Sequence, residues 1–297
     1  MNIINKSTLH YTTLYIIKIN RKLFYNTPVH RMKIVSIIYR KLFFSVYKKG
    51  QIVKVKYLNT TFNVPTNDIT ILPSMLNGEY EKLELNVLQK LLKPGDTFVD
   101  VGANIGIHTV LAAKRVGSKG KVFSFEPEAG NLQILKRNLE ENRCQNVTVV
   151  QAAVGNKKGR MTFYVDKRNI GTHSLLTKHI RADRRKEVQV DVVTLNDYFN
   201  KRKLGIDVMK IDVEGYEPAV LLGSRSVLKK VTYLLFEYDR NLTKELFDLN
   251  VIVDVIKSFP FQYNLDEKKA SIIPFSKDEL ANVEYANLLL SKVRVKL

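Results

Sequence analysis

A chain of 297 residues with one cysteine, Cys144, has no means of building an intramolecular disulfide framework. Cys144 also lacks a His- or Cys-rich neighbourhood. It reads as an inert, half-buried thiol, and no spacing of His, Cys and Asp calls for a metal. Acids are missing from residues 1–57, although those residues hold Lys6, Lys18, Arg21, Lys22, Arg31, Lys33, Arg40, Lys41, Lys48, Lys49, Lys54 and Lys56. Most of the formal net charge of +19 therefore sits in one arm. Long apolar runs are missing too: Lys, Arg or Ser breaks every stretch well short of the roughly 20 residues of a spanning helix. The same stretch lacks a continuous apolar h-region before a small-residue cleavage site, so it is not read as a signal peptide.

Within the arm, Leu14, Tyr15, Ile16, Ile17, Leu23, Phe24, Ile37, Ile38, Phe43 and Phe44 alternate with the cations. This is the composition of an amphipathic segment lying at an interface. The expected division is a basic extension over residues 1–57 followed by a catalytic domain over 58–297, with its core at 76–240. Three occupants compete for the extension's basic face: a membrane surface contacted peripherally, the domain itself, and nucleic acid. The composition suits a reducing cytoplasm, with the inner membrane surface as the candidate place of contact.

Beyond residue 57, apolar residues switch between a period of two and a helical period. Val53, Val55, Tyr57, Phe62 and Val64 predict a small β preface, and Tyr80, Leu83, Val87, Leu88 and Leu91 predict a helix over residues 79–92. Strands are expected at 97–101, 122–125, 147–152, 208–211 and 231–236, with helices at 107–116 and 129–142 between the first three. That alternation predicts an α/β fold with a mostly parallel sheet covered on both faces. A β insertion is expected from the alternating stretches 160–166 and 187–193, followed by a short helix capped by Thr194. A further helix is expected at 243–250, and an antiparallel edge pair at 261–265 and 286–290.

The chemistry concentrates where strands meet helices. Asp100-Val-Gly-Ala-Asn-Ile-Gly places an acid at a strand end and two glycines, Gly102 and Gly106, in the turn entering a helix. The spacing is G-x-x-x-G, neither G-x-G-x-x-G nor a Walker Gly-Lys-Ser/Thr. An acid aimed at the ligand would repel a phosphate but suits the ammonium and sulfonium end of S-adenosylmethionine. Glu126, twenty residues beyond Gly106, ends the next strand, where an acid accepts ribose hydroxyls. Asp212 and Glu214, in Lys210-Ile-Asp-Val-Glu-Gly, fall at the same sheet edge. Either could orient a methyl acceptor or take its proton; the bland alternatives are capping the helix near Glu217 or holding the donor's amino group. His173, in the expected insertion, is the candidate acceptor-side histidine, whereas His108 lies close enough to the glycine turn for packing or a donor contact.

Taken together, Asn77-Gly-Glu-Tyr-Glu, DVGANIG, Phe125-Glu-Pro, Ala152-Ala-Val-Gly, Gly171-Thr-His-Ser-Leu-Leu, Val192-Val-Thr-Leu and Met209-Lys-Ile-Asp-Val-Glu-Gly-Tyr-Glu resemble the FkbM-type methyltransferases over about residues 76–240. The resemblance implies a class I methyltransferase fold, Rossmann-like, using S-adenosylmethionine, usually for O-methylation of a sugar, glycan, polyketide or other small metabolite. It implies donor contacts from Asp100, Gly102, Asn104, Gly106 and Glu126, and adds Tyr80, Glu81, His108, Ala153 and Asp212 to the candidates. Nucleic-acid methylation is the alternative the net charge favours. Against it, neither Asp-Pro-Pro-Tyr nor Asn-Pro-Pro-Tyr is present to flank a flipped base. A non-catalytic membrane-surface or binding module is the third reading, and it would lack so complete a donor motif.

Overall fold

The structure is a computed structural model that describes residues 43, 47, 48, 50–66, 68, 70–167, 169–177, 180–200, 202, 204–243 and 248–295. The basic arm falls almost entirely outside the described residues. The chain divides into two compact units, residues 1–80 and 81–297.

In the first unit, β1 (Ile52–Tyr57) and β2 (Thr60–Pro65) form an antiparallel hairpin whose register runs from Ile52 opposite Pro65 to Tyr57 opposite Thr60. Its loop is Leu58-Asn59, both at positive φ, the backbone a two-residue hairpin requires. The boundary expected at 57/58 thus falls inside a hairpin. Helix α1 (Ile71–Leu76) packs on it with Ile71, Leu72 and Met75 buried. Asp68 caps that helix by accepting from the N–H groups of Thr70 and Ile71.

The second unit is built on an eight-stranded sheet. Its elements in chain order are α2 (Lys82–Leu91), β3 (Thr97–Val101), α3 (Ile107–Val116), β4 (Lys121–Phe125), α4 (Ala129–Glu141) and β5 (Val147–Val150). A separate three-stranded sheet of β6 (Ala153–Val154), β7 (Gly159–Asp166) and β8 (Arg185–Val193) follows, in the order β6-β8-β7. Then come α5 (Leu195–Phe199), β9 (Ile206–Ile211), α6 (Glu217–Leu222), α7 (Arg225–Leu228), β10 (Val231–Asp239), α8 (Arg240–Thr243), α9 (Asn250–Lys257), β11 (Phe261–Asp266), β12 (Ser271–Pro274) and β13 (Tyr285–Ser291). The large sheet runs β12-β11-β13-β10-β9-β3-β4-β5, parallel from β10 to β5 and antiparallel among β10, β13, β11 and β12. From β3 the chain winds outward through β4 and β5, and later through β9 and β10 in the other direction. The order therefore reverses between β3 and β9, and a crevice opens at their carboxyl ends.

Alternation along each strand sorts the core. Val99, Val101, Phe123, Met209, Ile211, Leu234 and Phe236 face one way, against α6 and α9. Phe98, Val122, Val208 and Leu235 face the other way, against Leu88 and Leu91 of α2 and Ala112, Ala113 and Val116 of α3. Both layers are buried, as parallel strands covered on both sides require.

Four expectations shift. The helix begins at Lys82 instead of residue 79, because Gly78 and Glu81 hold left-handed backbone just before it. The strand at 147–152 ends at Val150, and the chain leaves for the smaller sheet. The helix expected at 243–250 runs instead from Asn250 to Lys257, burying Ile252, Val255 and Ile256. The expected edge pair is real in register, since Phe261 to Asn264 pair with Ser291 to Leu288. It is not the edge: β13 lies inside, between β10 and β11, and the short β12 closes the sheet.

Candidate active site

The DVGANIG turn is held by its backbone. The N–H groups of Gly102 and Ala103 both donate to the Phe125 carbonyl, and that of Asp212 donates to the Val101 carbonyl, tying the ends of β4, β3 and β9 together. Gly102 (φ +85°) presses so closely on β9 that a Cβ would lie 1.8 Å from the Asp212 carbonyl oxygen. Only glycine fits there. Asn104 also takes positive φ, and its N–H donates to Glu126 Oε2 at 2.8 Å. From α4, Asn138 Nδ2 donates to the Ile105 carbonyl at 2.8 Å, while Leu135 packs on Gly106.

Across the sheet, Ser124, Asp100 and Lys210 are register partners on adjacent strands and point to the same face as Phe98 and Val208. All three are buried, so the carboxyl end of that apolar layer is capped by charge. Asp100 is fully buried: Oδ2 accepts from Thr109 Oγ1 at 2.5 Å, and Thr109 Oγ1 lies 2.7 Å from Ser124 Oγ. Its Oδ1 has no hydrogen-bond partner among the described residues. Lys210 Nζ donates to Asp212 Oδ2 at 2.8 Å. Burial opposes its charge, but Asp212, Glu84, Asp100 and Glu81 together hold it protonated, well above the ordinary lysine range.

Above this row sit the first turns of α2 and α3. His108 Nε2 lies 2.9 Å from Glu84 Oε1 and 3.5 Å from Glu81 Oε2. Burial and Lys210 work against the imidazolium, yet the two carboxylates raise its pKa. These three side chains bring one ligand atom each within 4.8 Å of one another. A divalent cation could use such a trio, but the protonated Lys210 beside it opposes one. The N-terminus of α2 is fixed from the β11–β12 turn, where Glu267 accepts from the N–H groups of Leu83 (3.1 Å) and Glu84 (2.9 Å).

Glu126 is buried, with Oε1 accepting from the Glu128 N–H and Oε2 from that of Asn104. Burial raises its pKa to about 8, against the pull of those two N–H groups. Glu217, also buried, accepts from Val213 N–H at 2.8 Å and Gly215 N–H at 3.3 Å, closing the turn that carries Asp212 and Glu214. No side chain caps α6, so the alternative reading of Asp212 or Glu214 as its cap is not met; Glu217, the first residue of the helix, instead braces the turn before it. Glu214 has left-handed backbone, and its carbonyl accepts from Ser174 Oγ in the insertion.

The expected site residues separate into groups. Asp100, Gly102, Asn104, Gly106 and Glu126 surround one turn, and Glu81, His108 and Asp212 join them through the charged cap. Ala153 is buried in β6. Tyr80 belongs to the first unit, where its carbonyl accepts from Tyr57 Oη at 2.6 Å. His173 is in the insertion: its Nδ1 accepts from the Asp166 N–H at 3.1 Å, and its ring meets Phe163 edge-on. A pocket opens beside Asp212, lined by Glu81, Glu84, Lys210, Asp212, Glu237, Tyr285 and Asn287 among others. Sequence reasoning missed Glu84, Lys210, Glu237 and Tyr285. For Lys210 and Glu237 a signal was present, a charge inside an otherwise apolar strand.

The family model for the methyltransferase FkbM domain matches residues 100–263, from Asp100 into β11. The chain belongs to the FkbM methyltransferase family. A second model, protein-L-isoaspartate(D-aspartate) O-methyltransferase, matches residues 17–160. Among curated relatives, the 2-O-methyltransferase NoeI of Sinorhizobium fredii is 23% identical over 194 residues, covering 60% of this FkbM-family chain and 78% of its own. The hexuronic acid methyltransferase AglP of Haloferax volcanii is 26% identical over 188 residues, covering 61% and 73%. The 31-O-demethyl-FK506 methyltransferase FkbM of Streptomyces tacrolimicus is 32% identical over 160 residues, covering 44% and 60%. This chain is thus a methyltransferase, and its charged crevice is the candidate active site.

Proposed function

We propose that this methyltransferase takes its methyl group from S-adenosylmethionine and passes it to a hydroxyl of a sugar, glycan or other small metabolite. The observation that carries the donor assignment is the unpartnered, buried Oδ1 of Asp100 at the glycine turn. A buried carboxylate oxygen without a hydrogen-bond partner at a strand end suits a cationic, hydrogen-bonding ligand, and the close-packed Gly102 turn leaves backbone in place of side chain there. Asp100, Gly102, Asn104, Gly106 and Ala153 would hold the donor, Glu126 would accept from its ribose hydroxyls, and Glu81, His108 and Asp212 would face its amino-acid end. The donor supplies an electrophilic methyl on a sulfonium. The protein's part is alignment, exclusion of water, and removal of the acceptor's proton. Asp212 and Glu214 are the candidate groups for orienting the acceptor, with His173 on the insertion side.

Support for a sugar or small-metabolite acceptor comes from the names of the relatives and from a pocket lined by carboxyl and amide groups. The same acidic lining disfavours a polyanion such as RNA or DNA, despite the net charge. For residues 1–57 we retain peripheral contact with an anionic membrane surface as the reading of their composition.

Calorimetric titration of the full chain with S-adenosylmethionine tests the donor assignment. Saturable binding is expected in the wild type, with a loss on the order of tenfold or more in Asp100→Ala, since a charge-assisted contact is worth about 1.5–3 kcal/mol. Undiminished affinity in the variant, or no binding by the wild type, overturns the reading.

A further inference from the structure

The pocket beside Asp212 adjoins the glycine turn through one residue. The Asp212 main-chain carbonyl lies against Gly102, while its side chain lines the pocket. On the far wall, Glu237, near the carboxyl end of β10, is partly buried and accepts at Oε2 from Tyr285 Oη at 2.9 Å. Tyr285 Oη also lies 3.2 Å from Asn287 Oδ1, and the Tyr285 side chain stays half exposed at the rim. The lining holds Glu81, Glu84, Asp212 and Glu237 against a single lysine, Lys210, whose charge is already answered by Asp212.

Each feature has a chemical consequence. A carboxylate oriented by a phenol, close to the donor turn and reachable from solvent, has what a general base for a hydroxyl needs. A half-exposed aromatic ring beside carboxyl and amide groups offers an apolar face and hydrogen-bond acceptors together, which is what a polyol presents its C–H and O–H groups to. The one lysine of the lining is already paired with Asp212, so among the described residues the pocket offers no free cation to hold an acceptor that carries its own carboxylate.

We propose that this pocket binds an uncharged sugar or polyol and that Glu237 takes the proton from the acceptor hydroxyl, with Tyr285 as its positioning residue. The inference rests on the donor assignment above. In the transfer, the acceptor O–H proton passes to the Glu237 carboxylate and the oxygen's electron pair forms the new bond to the methyl carbon. The methyl–sulfur bond breaks with its electrons going to sulfur, yielding the methyl ether and a neutral thioether, and Glu237 then returns its proton to water. The base must be ionised, so the rate rises with pH. Burial, and then the charges of Asp212, Glu214 and Glu217, raise the Glu237 pKa, whereas the Tyr285 hydrogen bond lowers it. Glu81, Glu84 and Lys210 are the other charged groups lining the same pocket. The ascending limb therefore falls above the ordinary carboxylate range.

The experiment uses the full chain, tritiated-methyl S-adenosylmethionine, and a panel of neutral methyl glycosides with their matching methyl glycuronides. Transfer to neutral glycosides in preference to the glycuronides is expected. Glu237→Gln should lower kcat on the order of 10²-fold or more, with unchanged donor affinity by calorimetry. Tyr285→Phe, at an exposed position that folding tolerates, should move the ascending limb to higher pH, because the bond that favours the charged carboxylate is gone. A Glu237→Gln enzyme with wild-type kcat, a limb unmoved in Tyr285→Phe, preference for glycuronides, or transfer to no glycoside while the donor still binds would each overturn the proposal. Failure of the wild type to bind the donor is the separate result that removes the underlying reading.

Discussion

The site depends on a few positions where one atom decides. At Gly102 an added methyl group would overlap the Asp212 carbonyl at 1.8 Å, and the backbone already sits at φ +85°. Gly102→Ala is therefore expected to destabilise the fold by more than the roughly 1–3 kcal/mol that a strained backbone alone costs. It should also abolish donor binding; a melting scan and calorimetry on the same sample check both. Glu217 is a different kind of position, a buried carboxyl whose pKa is raised to about 8 by burial first and by Asp212 and Glu214 after it. The folded state binds this proton more tightly than the unfolded chain, so between about pH 4.5 and pH 8 the folded form holds the extra proton. Stability from this group is then lost as pH rises through that window. Glu217→Gln can still accept from Val213 and Gly215 and cannot ionise. Its melting temperature should match wild type near pH 4.5 and exceed it above pH 8, and equal curves at alkaline pH would refute the assignment.

At the scale of elements, α2 is placed by a residue nearly two hundred positions away in sequence. Glu267, in the β11–β12 turn, accepts from the first-turn N–H groups of Leu83 and Glu84. That anchors the turn bearing Glu84, which pairs with His108 on α3. Glu267→Ala should cost about 0.5–2 kcal/mol in chemical denaturation, the usual loss for a helix cap, and should weaken donor binding through displacement of Glu84. A change confined to the noise of the unfolding midpoint would show that water replaces the carboxylate. No sequence pattern pointed to this cap, since cap signals are local and this one is supplied by the far end of the chain. Thr194, by contrast, caps α5 by accepting from the Asp197 N–H at 3.0 Å, as its position in the sequence predicts.

For the whole molecule, the charge asymmetry is the outstanding feature. Residues 1–57 carry cations and no acids, while the pocket of the catalytic unit is lined by acids. If the arm contacts an anionic membrane surface, flotation with phosphatidylserine-containing liposomes should recover the full chain at low salt and lose it at high salt. Deleting residues 1–42, which spares the β1–β2 hairpin, should abolish recovery, and retention by the truncated chain would refute the contact. No helix among the described residues is long and apolar enough to cross a membrane. The α/β class, the parallel core, the glycine turn and the placing of Asp100, Glu126 and Asp212 at strand ends were all legible in the amino acids. Periodicity, breaker residues and strand-end acids are local properties, and local properties survive in a one-dimensional string. What only the tertiary structure decided is which side chains share a space. Register sets Lys210 beside Asp100, the antiparallel addition of β13 to β10 sets Tyr285 beside Glu237, and burial moves the pKa values of Glu126 and Glu217. Those pairings join residues up to 110 positions apart across the sheet, and the chain between them carries no signal of the meeting.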